Sequence, residues 1–232
     1  MISENIKEVE TRLSAASAKR PDGFAEAKLI AVSKTKPIEM LKEAYDFGCR
    51  DFGENKVQEL CDKIPQMPDD VRWHLIGHLQ TNKVKYIVGK TYLIHSVDSV
   101  KLAGEIQKEA EKKQCDVDIL IEVNVAQEDS KFGVSVTQAP ALIREISQFP
   151  RVHIKGLMTI APYTEDAETN RVFFRQLRDL SVDITSKNID NVSMNVLSMG
   201  MTGDYEVAAQ EGASYVRVGT GIFGERNYAV TL

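Results

Sequence analysis

The sequence has little cysteine. Cys49, Cys61 and Cys115 are three residues in 232, widely spaced, with no Cys-x-x-Cys pair among them. Neither a disulfide framework nor a structural zinc site is expected from that spacing, and scattered thiols suit a reducing cytosol. A surplus of positive charge is also missing. The 29 Lys and Arg stand against 34 Asp and Glu, for a formal net charge of −5. A general nucleic-acid binder needs basic residues for phosphate contacts, so no nucleic-acid partner is expected. No apolar run approaches the ~20 residues of a bilayer span. The charged opening MISENIKEVETRL lacks the apolar stretch of a signal peptide. No membrane partner is expected, and the chain reads as cytoplasmic.

What is present suits a globular protein. Hydrophobic residues make up 43% and charged residues 27%, and a chain this long buries a core without covalent staples. Ile6, Val9 and Leu13 recur at helical spacing. The stretch Ser17 to Glu26 holds Pro21 and Gly23 and reads as a loop. Eight short apolar runs follow: Lys28–Ser33, Arg50–Phe52, Trp73–Ile76, Tyr92–Ser96, Val117–Asn124, Val152–Thr159, Met194–Ser198 and Tyr215–Val218.

Between the runs lie apolar stripes with helical spacing. One is Val57, Leu60, Cys61 and Ile64. Another is Leu142, Ile143, Ile146 and Phe149, led by Ser135-x-x-Gln138, a capping-box pattern. Phe173, Phe174, Leu177 and Leu180 form a third. Gly48 and Gly212 each follow a helical stretch, where a left-handed residue ends a helix. Alternating strands and helices imply parallel pairing through right-handed crossovers, and eight strands close a barrel. The expectation is one α/β domain over residues 1–232, a (β/α)8 TIM-type barrel with an extra N-terminal helix. A doubly wound open sheet is the rival.

In such a barrel the chemistry sits at the C-terminal ends of the strands. Lys34 follows the run LIAV there. Desolvation of such a lysine frees its amine to attack a carbonyl and form a Schiff base. Lys36 lies two residues on and spacing alone does not choose between them. The turns after the last two strands are rich in glycine, which lets backbone N–H groups approach an anion. Ser198 and Thr220 add hydroxyls. Arg217 stands inside an apolar run and needs an acceptor, either a structural carboxylate or a ligand atom such as a ring nitrogen. Asn55 and His78 are polar groups at the mouth, while His74, His95 and His153 fall within strands with no metal-ligand spacing. A Schiff-base lysine, a phosphate cradle and a buried arginine together suggest pyridoxal 5'-phosphate (PLP). A Schiff-base aldolase would share the lysine and the phosphate site.

Several stretches are long and specific. They are Ala31-Val-Ser-Lys34-Thr-Lys-Pro37, Phe52-Gly-Glu-Asn55 with Val57-Gln-Glu59, His74-Leu-Ile-Gly-His78-Leu-Gln with Asn82-Lys83, Gly156-Leu-Met158, Leu197-Ser-Met-Gly-Met201, and Val216-Arg-Val-Gly-Thr220 with Ile222-Phe-Gly224. On these the chain closely resembles the pyridoxal phosphate homeostasis protein family, whose barrel is similar to the alanine racemase N-terminal domain. The resemblance implies that Lys34 holds PLP as an internal aldimine. It implies that Ser198, Gly219 and Thr220 bind the phosphate, that Arg217 faces the pyridine nitrogen, and that Asn55 and Met158 lie near the ring. It also implies a role in intracellular PLP homeostasis without established turnover, with PLP as ligand and client apoenzymes as recipients. A monomer is expected. The chain ends at Leu232, soon after the eighth run, so the second domain that gives alanine racemase its opposing tyrosine is not expected. A PLP-dependent amino-acid racemase is the alternative.

Overall fold

The structure, a computed structural model, describes residues 1–128 and 131–225. Eight parallel strands close into a barrel in sequence order: β1 (Lys28–Val32), β2 (Asp51–Glu54), β3 (Arg72–Leu75), β4 (Leu93–Val97), β5 (Val117–Glu122), β6 (Val152–Met158), β7 (Val192–Met201) and β8 (Tyr215–Val218). β8 pairs back onto β1 through Leu29↔Val216 and Ile30↔Arg217. The helices are α1 (Ile2–Ser17), which precedes the barrel, then α2 (Ile38–Phe47), α3 (Val57–Lys63), α4 (Val84–Ile87), α5 (Val100–Lys113), α6 (Ala139–Ile146), α7 (Arg171–Ser186), α8 (Tyr205–Gln210) and α9 (Thr220–Phe223). The (β/α)8 expectation holds, and the open sheet is set aside. The end of the expected 1–232 domain, residues 226–232, lies outside the described residues.

A closed sheet turns alternate side chains to opposite faces. On β1, Ala31 faces the helices while Ile30 faces the barrel interior. On β8, Val216 and Val218 pack outward and Tyr215 inward. The outer layer is a continuous apolar core against helix residues such as Leu41, Leu60, Phe174 and Leu177. The inner apolar layer is small: Ile30, Leu93, Leu120, Met158 and Tyr215. Ile160 and Val196 pack against it, and His74, His95, Ser198 and Arg217 add a buried polar set. The leading helix buries Ile2, Ile6, Val9, Leu13 and Ala16 on one face, and Asn5 Nδ2 donates to Ile222 O at 2.8 Å, tying α1 to α9.

Two strand boundaries move enough to affect the site. β2 was expected at Arg50–Phe52 and runs through Glu54, so Asn55 stands directly at its end. β7 was expected to end at Ser198 and continues to Met201. Gly200 makes that extension possible. Its φ is +91°, and a Cβ there would lie 2.5 Å from the Ala208 Cβ. The pairing with β8 shifts register between Ser198 and Met201, as at a bulge. Ser135 and Gln138 do make the reciprocal backbone bonds of a capping box, each at 3.2 Å, in the turn that leads into α6.

Gly156 marks the tightest approach in the sheet. A Cβ there would fall 1.8 Å from the Val196 carbonyl oxygen, and register shifts flank it on both neighbouring strands. Gly156→Ala is therefore expected to push β6 from β7 and cost on the order of 3 kcal/mol. Urea unfolding of the variant against the parent measures that loss.

Candidate functional site

The C-terminal mouth of the barrel opens into a cleft of about 560 Å3. That volume lies within the roughly 300–1,000 Å3 usual for small-molecule sites. Lys34, Asn55, Arg217, Gly219 and Thr220 line it, and Thr202 lies among them. Five of the seven expected ligand residues therefore converge on one cavity. Val32, Ile76 and Ile160 give it apolar walls.

Lys34 is positioned from behind. Ser33 turns outward and its Oγ donates to Glu54 Oε1 at 2.6 Å. The buried Lys63 ammonium donates to Ser33 O at 2.8 Å, to Glu54 Oε1 at 2.7 Å and to Glu59 Oε1 at 2.7 Å. The Thr35 N–H donates to the same Glu59 oxygen at 2.6 Å. Both neighbours of Lys34 are thus tied to one ionic cluster. That cluster also holds Thr35 at φ +63°, a left-handed conformation that costs a non-glycine residue about 1 kcal/mol or more. Burial raises the Glu54 carboxyl pKa, and hydrogen bonds from Lys63 and Ser33 pull it back.

Lys36 is engaged elsewhere. Its Nζ donates to Phe223 O at 3.1 Å, Gly224 O at 2.8 Å and Glu225 O at 2.9 Å. It collects the carbonyls that the end of α9 leaves unpaired. The choice between the two lysines, open from spacing alone, favours Lys34 on this geometry.

Arg217 is 4% exposed and still reaches the cleft. Its Nη1 donates to Ser198 Oγ at 2.6 Å and its Nη2 to Thr159 O at 2.8 Å. Burial lowers its pKa to about 10, with Asp204 and Glu122 opposing that shift, so it remains a cation at neutral pH. The loop after β3 passes close to the Asn55 backbone: a Cβ on Gly77 would fall 2.5 Å from the Asn55 carbonyl oxygen.

Between β7 and β8 the polar groups cluster at the rim. The Gly219 N–H donates to Thr202 Oγ1 at 3.4 Å, and the Thr220 hydroxyl lies 3.2 Å from the same oxygen. Ser198 is not among them. It is fully buried, one layer deeper, with its Oγ between Arg217 and the His95 Nδ1 at 2.9 Å. Met158 is fully buried in the inner apolar layer. The Ser198 displacement follows from strand geometry. Because β7 runs three residues further than expected, the hydroxyl at its mouth is Thr202. The glycine-rich turn signalled that loop, but the misplaced strand end directed attention to Ser198.

Sequence reading also missed Glu122. This carboxylate is 5% exposed, and its Oε2 has no hydrogen-bond partner among the described residues. It lines a side cavity of about 170 Å3 that shares Ile160 with the main cleft. Burial and the Asp98 charge raise its pKa to about 7, while Arg217 draws it down. Nothing in VDILIEVN distinguishes it from a strand-end glutamate. Among the described residues no His, Cys, Asp and Glu group could hold a metal ion, and no helix is long and apolar enough to cross a membrane.

Two stability effects follow. Lys63→Met leaves Glu54 buried without its cation and is expected to cost about 3–5 kcal/mol, read by chemical denaturation at pH 7. Glu122 has a folded pKa above its unfolded value of 4.5. Its contribution is complete below about pH 4.5 and is lost as pH rises through 7. Glu122→Gln should therefore match the parent at pH 4 and exceed it by on the order of 2 kcal/mol at pH 8. Melting curves across that range would show the two profiles diverge.

The profile of the family described as "Alanine racemase, N-terminal domain" matches residues 3–227. A pyridoxal phosphate homeostasis protein of Aquifex aeolicus is 46% identical over 226 residues, covering 97% of this chain and 98% of the relative. The solved structure of PipY from Synechococcus elongatus PCC7942 with PLP bound superposes with a TM-score of 0.83 at 33% identity, over 97% of this chain and 100% of that one. Alanine racemase of Clostridium difficile 630 shares the fold at a TM-score of 0.75 and 10% identity, over 95% of this chain and 57% of the racemase. The chain belongs to the alanine racemase N-terminal-domain family and, within it, to the group of full-length relatives named pyridoxal phosphate homeostasis proteins.

Proposed function

We propose that this chain binds PLP reversibly in the mouth cleft, with Lys34 as its covalent anchor, and serves intracellular PLP homeostasis without catalytic turnover. One observation carries the reading. A lysine, a buried arginine and the Thr202–Gly219–Thr220 donor cluster line a single cleft of about 560 Å3. Those groups match an aldehyde, a ring acceptor and a phosphate. PLP supplies an amine-reactive aldehyde and an electron-withdrawing ring when bound.

Each protein group then has a distinct task. Lys34 provides the amine. Arg217 offers N–H donors to the ring nitrogen and does not surrender a proton, because a guanidinium stays charged. The Gly219 N–H and the hydroxyls of Thr202 and Thr220 receive the phosphate. Val32, Ile76 and Ile160 would give the ring apolar walls and Asn55 a polar neighbour in the cleft, while Met158 packs in the inner apolar layer. Ser198 acts through Arg217.

The rim favours exchange. Thr202 and Thr220 are exposed, and Tyr163, on the same cleft, is 94% exposed. A site built for turnover on PLP excludes water around the reacting atoms. An open rim lets the ligand leave for a client apoenzyme in the cytoplasm, and one chain supplies every group named, so a monomer suffices.

Purified protein incubated with PLP should turn yellow. Borohydride reduction should then leave a phosphopyridoxyl group on Lys34 by peptide mass spectrometry, and Lys34→Ala should stay colourless. Replacing Thr202 and Thr220 by Val together should weaken PLP binding roughly tenfold or more by removing charge-assisted hydrogen bonds. A colourless parent protein would overturn the cofactor reading. Racemisation of any single-enantiomer amino acid at rates usual for PLP enzymes, lost in Lys34→Ala, would replace storage with catalysis.

A further inference from the structure

Below the cleft, a chain of hydrogen bonds crosses the barrel interior from strand to strand. The Arg217 Nη1 on β8 donates to Ser198 Oγ on β7 at 2.6 Å. Ser198 Oγ lies 2.9 Å from the His95 Nδ1 on β4. The His95 Nε2 lies 2.9 Å from the His74 Nδ1 on β3, and the His74 Nε2 lies 2.9 Å from Asp51 Oδ1 at the start of β2. Arg72 closes the far end through Nε to Asp51 Oδ1 at 2.8 Å and Nη2 to Oδ2 at 2.5 Å. His74, His95 and Ser198 are fully buried, and Asp51 is 6% exposed.

The polarity of this chain is fixed from both ends. A guanidinium only donates, so Ser198 Oγ accepts from Arg217 and its own hydrogen goes to the His95 Nδ1. That leaves the His95 proton on Nε2, which donates to the His74 Nδ1. The His74 proton is then on Nε2, facing Asp51. A carboxylate only accepts, so the far end demands the same direction. The reversed chain would set a bare imidazole nitrogen against a carboxylate oxygen and leave the Ser198 hydrogen without an acceptor. Burial keeps both imidazoles neutral, lowering the pKa of His74 and, more strongly, of His95. Burial works against ionisation of Asp51, yet the bonds from Arg72 and His74 prevail and hold its pKa at about 2.

We infer that His95 and His74 are positioning residues for Arg217: they carry the acceptor demand of Asp51 across the barrel to Ser198, which pins the guanidinium so that its remaining donors face the ligand. The inference rests on the PLP reading for the identity of that ligand. It gives the two strand histidines and Ser198 one common task, without direct contact to the ligand. Aligned bonds in a low-dielectric interior reinforce one another, so a break at the far end is felt at the mouth.

Two measurements test this, and the first needs no ligand. In ligand-free protein with 15N-labelled histidine, long-range 1H–15N correlation should show His74 and His95 as neutral Nε2–H tautomers. An Nδ1–H tautomer or an imidazolium at either position would overturn the relay. The second uses PLP-loaded Asp51→Asn, His95→Leu and Ser198→Ala. Each should shift the visible absorption band and weaken PLP binding by roughly tenfold, the scale of a lost bond to a charged group. Borohydride should still label Lys34 in all three. Folded variants that keep the parent's band and affinity would show that the histidines only fill space. Ser198→Ala removes a single oxygen and serves where the larger changes prevent folding. A parent protein that binds no PLP but shows the stated tautomers would sink the cofactor reading and leave the relay standing.

Discussion

A charge inside an eight-stranded barrel has to find its partner inside the barrel, because the interior is only as wide as its own side chains. Arg217 is that charge. It cannot shed its proton, and an uncompensated cation in the interior would be prohibitive. Much of the interior follows from this constraint. Ser198 and the Thr159 carbonyl take two of its donors, and a file of neutral, hydrogen-bonded groups joins it to the Asp51 carboxylate. The inner apolar layer is correspondingly thin. The barrel gives up apolar packing to seat one donor at its mouth.

A second ionic cluster does the same for the lysine from the other side of the sheet. Ser33 and Thr35 alternate outward from Lys34, so Lys63, Glu54 and Glu59 can grip the backbone on both sides of it without entering the cleft. Here the buried pair fixes geometry more than it adds stability. A buried ion pair is often no better than well-packed apolar residues, yet losing one partner is costly. The cleft therefore has a rigid back wall and an exposed front rim, an asymmetry that matches reversible retention of a ligand.

Much of the fold was legible in the sequence because strands buried on both faces leave short apolar runs, while helices leave stripes of period 3.6. Eight alternations were countable, and the glycines at 48 and 212 adopt the left-handed conformations that their positions suggested, at φ +129° and +96°. The barrel rule then turned strand ends into site candidates. This located Lys34, Asn55, Arg217, Gly219 and Thr220 at one mouth. It failed where a boundary was off. A bulge at Gly200 adds three residues to β7, which moves Ser198 into the interior and brings Thr202 to the rim. The pattern could not reveal that extension, since the added residues are Met199, Gly200 and Met201, and a glycine there reads as a turn.

The histidines show a different kind of limit. His74 and His95 lie in strands, and each alone is indistinguishable from a buried imidazole with a local partner. Their roles depend on closure of the sheet, which brings β3 and β4 across from β7 and β8. No local pattern encodes a bond between residues 95 and 198. Once the barrel is closed, the direction of every proton in the file follows from two residues, an arginine that only donates and an aspartate that only accepts. What the sequence does supply is this pair of chemically unambiguous ends, and the fold converts them into a single arrangement of the neutral groups between.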